Sequence, residues 1–218
     1  MKMARLRKLL RAPLSNKLVV LKSLYWSIKS RCFYRFLFRR FGTKSVICKP
    51  MMISNDDCIE IGDCVYIRDG IRLEAIRDPF GRTPLLSIGS NTNIEQGVHI
   101  ICHHRVSIGT GVSITGRCAI VDVTHPYRDI AGGKIGSLIE DVDSFVEIGD
   151  GAFLGYGAVV LPNVRIGKRA VIGANSVVAQ DVPDYSVAAG VPAKVISVYS
   201  RELKQWIKPP ISESPTGA

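Results

Sequence analysis

Residues 1–44 contain no aspartate and no glutamate, although the 218-residue chain holds 19 of them. That stretch holds 13 of the 29 lysines and arginines, so the remainder carries 16 basic and 19 acidic side chains. The net charge of +10 therefore belongs entirely to an N-terminal arm. A mildly acidic body argues against nucleic acid as a partner. Histidine is absent from residues 1–98. The six cysteines (Cys32, Cys48, Cys58, Cys64, Cys102, Cys118) form no CxxC pair and show no zinc-ligand spacing. They are expected to be buried free thiols in a reducing compartment. No segment reaches ~18 uncharged apolar residues, so no spanning helix is expected. Lys17, Lys22 and Lys29 interrupt the N-terminal apolar stretch, which does not fit a secretory leader.

The middle of the chain repeats with a period of six. An aliphatic residue, usually followed by glycine, recurs at Ile61, Ile67, Ile88, Ile94, Ile108, Ile114 and Ile120. After a break the rhythm resumes at Ile148 and runs through Leu154, Val160, Ile166 and Ile172 to Val178. Four residues after these positions stand small or β-branched side chains such as Val65, Thr92, Ala152 and Ser176. Neither a helix nor simple alternation gives this period, which reads as an all-β solenoid of short strands and turns. Three hexapeptides close one triangular coil, so Ile148 should stack on Ile166. The glycine after each aliphatic residue is expected to take positive φ in a tight turn.

Three regions follow. Residues 1–45 form a basic arm in which Leu14, Leu18, Leu21, Tyr25, Ile28 and Cys32 keep helical spacing. One or two amphipathic helices broken near Pro13 are expected there. Such an arm suits an anionic membrane surface, the alternative being an apolar face packed on the solenoid or a neighbouring subunit. Residues 46–197 are the solenoid, interrupted around Asp78-Pro79-Phe80-Gly81 and by a longer insertion, 125–146, containing Gly132-Gly133. Long insertions in compact folds are often functional. Asp184–Ile196 should run back along the prism, and residues 198–218 are expected to give a short C-terminal helix and a loose tail.

Thr124-His125-Pro126 at the mouth of the insertion, the run Val146–Gly155 and the closing run Ala188–Ile196 carry a resemblance. The chain resembles the hexapeptide-repeat acyltransferases, in the branch of galactoside, maltose and lipopolysaccharide or capsule O-acetyltransferases. The resemblance implies a left-handed parallel β-helix, a homotrimer, and acetyl-CoA lying between neighbouring prisms, with no metal required. His125 matches the family's catalytic base, a role that suits imidazole near neutral pH. Asp122, three residues earlier, could hold His125 in one tautomer. Tyr156 matches the position whose backbone N–H meets the oxyanion. For the donor the resemblance points to Gly155, Tyr156, Ala174, Gln180 and Lys194. Ala179-Gln180 departs from the Thr-Lys common in relatives, so Lys168 or Arg169 could supply a phosphate-binding cation instead. Glu95, His99 and His103 would line the acceptor pocket. His99 and His104 share the spacing of the γ-class carbonic anhydrases, which also need an earlier histidine that this chain lacks. The resemblance implies an acetyl-CoA-dependent O-acetyltransferase on a sugar hydroxyl of a surface polysaccharide or its lipid-linked precursor, and the basic arm suits the cytoplasmic face of a bacterial inner membrane. The alternatives are N-acetylation of an amino-sugar nucleotide, or a non-catalytic assembly module.

Overall fold

The computed structural model describes residues 13–77, 81, 83–128 and 134–209; the side chain of Ser137 is outside this set. Gly132-Gly133, most of the 78–82 excursion, residues 1–12 and residues 210–218 lie outside the described residues.

The period of six becomes three parallel sheets wound round one apolar core. Strands ending at Phe41, Ile61, Ile88, Ile108, Ile148 and Ile166 pair side by side in a first sheet. Strands ending at Ile47, Ile67, Ile94, Ile114, Leu154 and Ile172 form the second. The third stacks the strands Met52–Ser54, Arg72–Ala75, His99–Cys102, Ala119–Val121, Val159–Val160 and Val177–Val178. Each coil turns a first corner between sheets one and two, a second between two and three, and a third back to sheet one. Ile88, Ile108, Ile148 and Ile166 stack in register, each no more than 3% exposed. Each such side chain contributes about 1.5–3 kcal/mol by leaving water.

The glycine after each ladder residue works differently from expectation. Positive φ falls two residues later, at Gly111, Gly151, Gly157, Arg117 and Asn175. The ladder glycines instead permit close approach between coils. A Cβ on Gly149 would lie 2.6 Å from the Lys168 backbone nitrogen, and one on Gly155 would lie 2.6 Å from that of Ala174.

The solenoid ends in strands, which corrects the expected C-terminal helix. Ser186–Gly190 continues the second sheet parallel to Val171–Ile172. Ala193–Ser200 and Gln205–Ile207 then add antiparallel strands. The exposed sheet edge offers unpaired N–H and C=O groups, and Val195, Ile196, Val198 and Tyr199 suit pairing with it. Tyr199 faces Trp206 across that last pair with ring centroids 5.6 Å apart.

In the arm, Pro13 precedes helix α1, Leu14–Cys32. Serines, not the leucine stripe, meet the solenoid. Ser30 is fully buried and its Oγ accepts the Ile47 N–H at 3.0 Å. Ser23 lies beside the Tyr66 hydroxyl, and Lys22 pairs with Asp69. Leu14, Leu18, Leu21, Tyr25 and Ile28 are each more than half exposed. The apolar face therefore does not pack on its own solenoid, which removes one of the expected alternatives. Among the described residues no helix is long and apolar enough to cross a membrane.

Candidate active site

The insertion leaves the third corner after Val121 and returns at Phe145. Its base is pinned by Asp122. Both carboxylate oxygens of this fully buried residue accept backbone N–H groups, from His103 at 2.5 Å, His104 at 2.9 Å and Arg105 at 2.7 Å. Burial pushes the Asp122 pKa up from its ordinary value, against the opposing pull of those three N–H groups. The returning arm is held by His104, whose Nδ1 lies 2.8 Å from the Ser144 carbonyl. The Glu140 N–H donates to the Thr124 carbonyl at 3.0 Å, tying the outgoing and returning arms together.

His125 stands on this tied stem, exposed, with Nδ1 2.6 Å from the Leu138 carbonyl oxygen. A carbonyl can only accept, so Nδ1 carries the proton and a neutral imidazole keeps its lone pair on Nε2. The expected Asp122–His125 pair is thus corrected. Asp122 is occupied by the turn at residues 103–105, and a backbone carbonyl sets the His125 tautomer instead. No side-chain signal in the sequence could reveal Leu138 in that role.

Tyr156 lies on the second corner, at the other end of the third sheet. Its carbonyl accepts the Asn175 N–H at 2.8 Å, and its ring lies against Gly116. The Tyr156 N–H makes no hydrogen bond among the described residues. Ala174 is exposed on the same corner one coil further on. Lys194 follows, exposed, paired with Ala189 where the chain reverses beside that column. Gln180 is exposed on the third corner instead, and Lys168 and Arg169 sit on the first. The site residues thus divide into two groups. His125 and Gln180 occupy one corner; Gly155, Tyr156, Ala174 and Lys194 occupy another. The strand His99–Cys102 spans the distance between such corners with 4 residues, roughly 13 Å at about 3.3 Å per residue.

Of the expected acceptor residues, Glu95 is half-buried on the second corner and bound to Arg68 at 2.8 Å. His99 is half-buried on the outer face of the third sheet, between Arg72 and Ala119. His103 is only 1% exposed and belongs to the packing beneath the loop base, which removes it from any surface an acceptor could touch.

Residues 145–180 match the family model of the bacterial transferase hexapeptide (six repeats). WbbJ of Escherichia coli K12, named as a lipopolysaccharide biosynthesis O-acetyl transferase, is 34% identical over 168 residues, covering 75% of this chain and 83% of WbbJ. The chain belongs to the hexapeptide-repeat acyltransferases. A serine acetyltransferase of Haemophilus influenzae is 48% identical over 88 residues, which cover 40% of this acyltransferase and 32% of that enzyme. The likeness there is confined to part of each chain. The structure of AntD, an N-acyltransferase from Bacillus cereus in complex with dTDP and 3-hydroxybutyryl-CoA, matches with a TM-score of 0.65 at 21% identity. That match covers 78% of this chain and 87% of AntD, and it is a likeness of fold.

Proposed function

We propose that this hexapeptide-repeat acyltransferase moves acetyl from acetyl-CoA to a sugar hydroxyl of a surface polysaccharide or its lipid-linked precursor. The observation that carries the reading is His125, exposed on a pinned stem with Nε2 left as the basic nitrogen. The likeness to WbbJ supports a hydroxyl acceptor.

In this mechanism Nε2 of His125 takes the acceptor hydroxyl proton as that oxygen attacks the thioester carbonyl. The oxyanion forms opposite the Tyr156 N–H. The C–S bond then breaks, and the CoA thiolate takes the proton back from the imidazolium. No acyl-enzyme is needed, because the thioester is already activated. Lys194 would meet the phosphates at the nucleotide end of the donor. Glu95 and His99 would contact the acceptor.

The complete site is one between copies, the base of one subunit facing the second-corner column of its neighbour in a left-handed, trimeric assembly. The outer face of the third sheet supports this. Ile101 and Val121 form one half-buried outward row, and Ala119, Val159 and Val177 form another. An aliphatic face of this kind on a soluble prism calls for cover. The basic arm, whose charge suits an anionic bilayer, would hold the trimer at the cytoplasmic face of the inner membrane.

The test is product mass after incubation with acetyl-CoA and a panel of hydroxyl and amino sugars, free and lipid-linked. Acetyl esters on hydroxyl acceptors are expected. Amides formed only on amino sugars would replace this reading with N-acetylation, and no product with any acceptor would favour an assembly module.

A further inference from the structure

Between α1 and the first coil lies a cavity of about 670 Å³, lined by Ser27, Arg31 and Arg35 on the arm side and by Thr43, Lys44 and Ser45 opposite. We propose that this cavity binds the phosphate group of an anionic membrane lipid. The inference rests on the reading that the arm meets a membrane; it does not rest on the acetyl-transfer chemistry.

Three cations share this space, and none of them makes an ion pair among the described residues. Like charges gathered in a concavity repel unless an anion joins them. The neighbouring carboxylate, Asp63, is turned to Thr43, accepting its N–H at 2.6 Å and its hydroxyl at 3.0 Å. Those bonds hold Asp63 below the usual carboxylate range. The serine hydroxyls are also committed. Ser27 donates to the Ser23 carbonyl at 2.8 Å, and Ser45 donates to that of Gly62 at 2.6 Å. Recognition therefore falls to Arg31, Arg35 and Lys44, a set suited to phosphate, because each guanidinium can offer paired N–H donors.

Hydrocarbon lies beside this charge. Leu24, Ile28 and Arg31 follow one ridge of α1 at spacings of four and three, and Leu24 and Ile28 are 55% and 54% exposed. Leu18 and Leu21 extend the apolar surface at 56% and 60% exposure. The wholly basic character of residues 1–44 complements an anionic bilayer. A ligand with an anionic head and hydrocarbon tails matches both surfaces, whereas free phosphate matches only the cavity.

The full chain is sedimented with vesicles of phosphatidylcholine alone or mixed with phosphatidylglycerol. Wild type is compared with the triple variant Arg31→Ala, Arg35→Ala, Lys44→Ala and with a charge-matched control, Lys17→Ala, Arg39→Ala, Arg40→Ala. Wild type should prefer phosphatidylglycerol vesicles. The cavity variant should lose that affinity by tenfold or more, and the control by much less. Melting temperature checks that each variant is folded, and Arg35→Gln alone should reproduce part of the loss if the triple variant is not. Equal loss in both triple variants would overturn the cavity while leaving membrane binding intact. Failure of wild type to prefer phosphatidylglycerol would overturn both. Inorganic phosphate displacing the protein at a concentration equal to that of the lipid phosphate would show a free-phosphate site, and self-association without vesicle binding would show a second copy on the helix; either would overturn the lipid assignment.

Discussion

The imidazole Nδ1 of His125 and the carbonyl oxygen of Leu138 meet at 2.6 Å across the two arms of the long insertion. That contact directs the basic nitrogen outward. It also assigns Asp122 a separate task, which is to hold the turn from which the insertion leaves.

Asp122→Asn should therefore destabilise the fold. An amide presents one N–H₂ where the carboxylate accepts backbone N–H groups at both oxygens. The expected cost is about 1–3 kcal/mol. The folded-state pKa of Asp122 is raised, so native protein binds this proton more readily than unfolded chain. Its contribution is thus largest below the unfolded carboxylate pKa and is lost as pH rises through the folded value. Denaturant titrations across acid pH should show the stability gap between wild type and variant narrowing upward. A gap that widens with pH would contradict this.

Gly149→Ala places a methyl group 2.6 Å from the Lys168 backbone nitrogen, a contact that no rotamer change relieves. Overpacking between coils should cost about 1–3 kcal/mol. Gly111→Ala tests the other glycine class, since nothing lies within 4 Å of its Cβ position and the strain comes from a φ of +68°. Thermal melts should show both variants destabilised, with a local backbone shift only in the first.

Cysteine reactivity should divide the six thiols. Cys48, Cys58, Cys102 and Cys118 are buried as expected, whereas Cys32 and Cys64 are exposed, which corrects the expectation for those two. Burial also pushes the Cys102 thiol well above its ordinary range. Two thiols should react quickly with a water-soluble disulfide reagent under native conditions, and all six after unfolding. Fast reaction of Cys102 would show that the core opens.

Val159→Glu puts a charge in the middle of the aliphatic outer row of the third sheet. Covering that charge against a neighbouring subunit would cost several kcal/mol. Light scattering should show the assembly reduced to single chains that keep their far-ultraviolet spectrum. An unchanged assembly would move the subunit contact to another face.

The ladder from Ile148 to Val178 was legible because a strict period of six has one structural solution, with every ladder side chain facing inward. The base of the site was legible in part: Thr124-His125-Pro126 marks the insertion mouth, and His125 stands there. Leu138 was not legible, since its role belongs to a backbone carbonyl that any residue could supply. The place of Asp122 was not legible because three-residue spacing suggests proximity to His125, while the backbone N–H groups of His103, His104 and Arg105 on the preceding coil take the same oxygens. The terminal strands were not legible because local pattern does not reveal a free sheet edge. In the arm the leucine spacing predicted a helix, but not that Ser23 and Ser30 would face the solenoid. The cavity formed by Arg31, Arg35 and Lys44 depends on that orientation.

Acceptor-dependent thiol release from acetyl-CoA, compared between wild type and His125→Ala, tests the proposed chemistry most directly. Loss of the general base should lower turnover by about 10²–10⁴-fold, with the melting temperature lowered only slightly, because His125 is exposed and its bond to Leu138 ties a surface loop. A variant that stays folded and releases thiol at the wild-type rate would contradict His125 as the base.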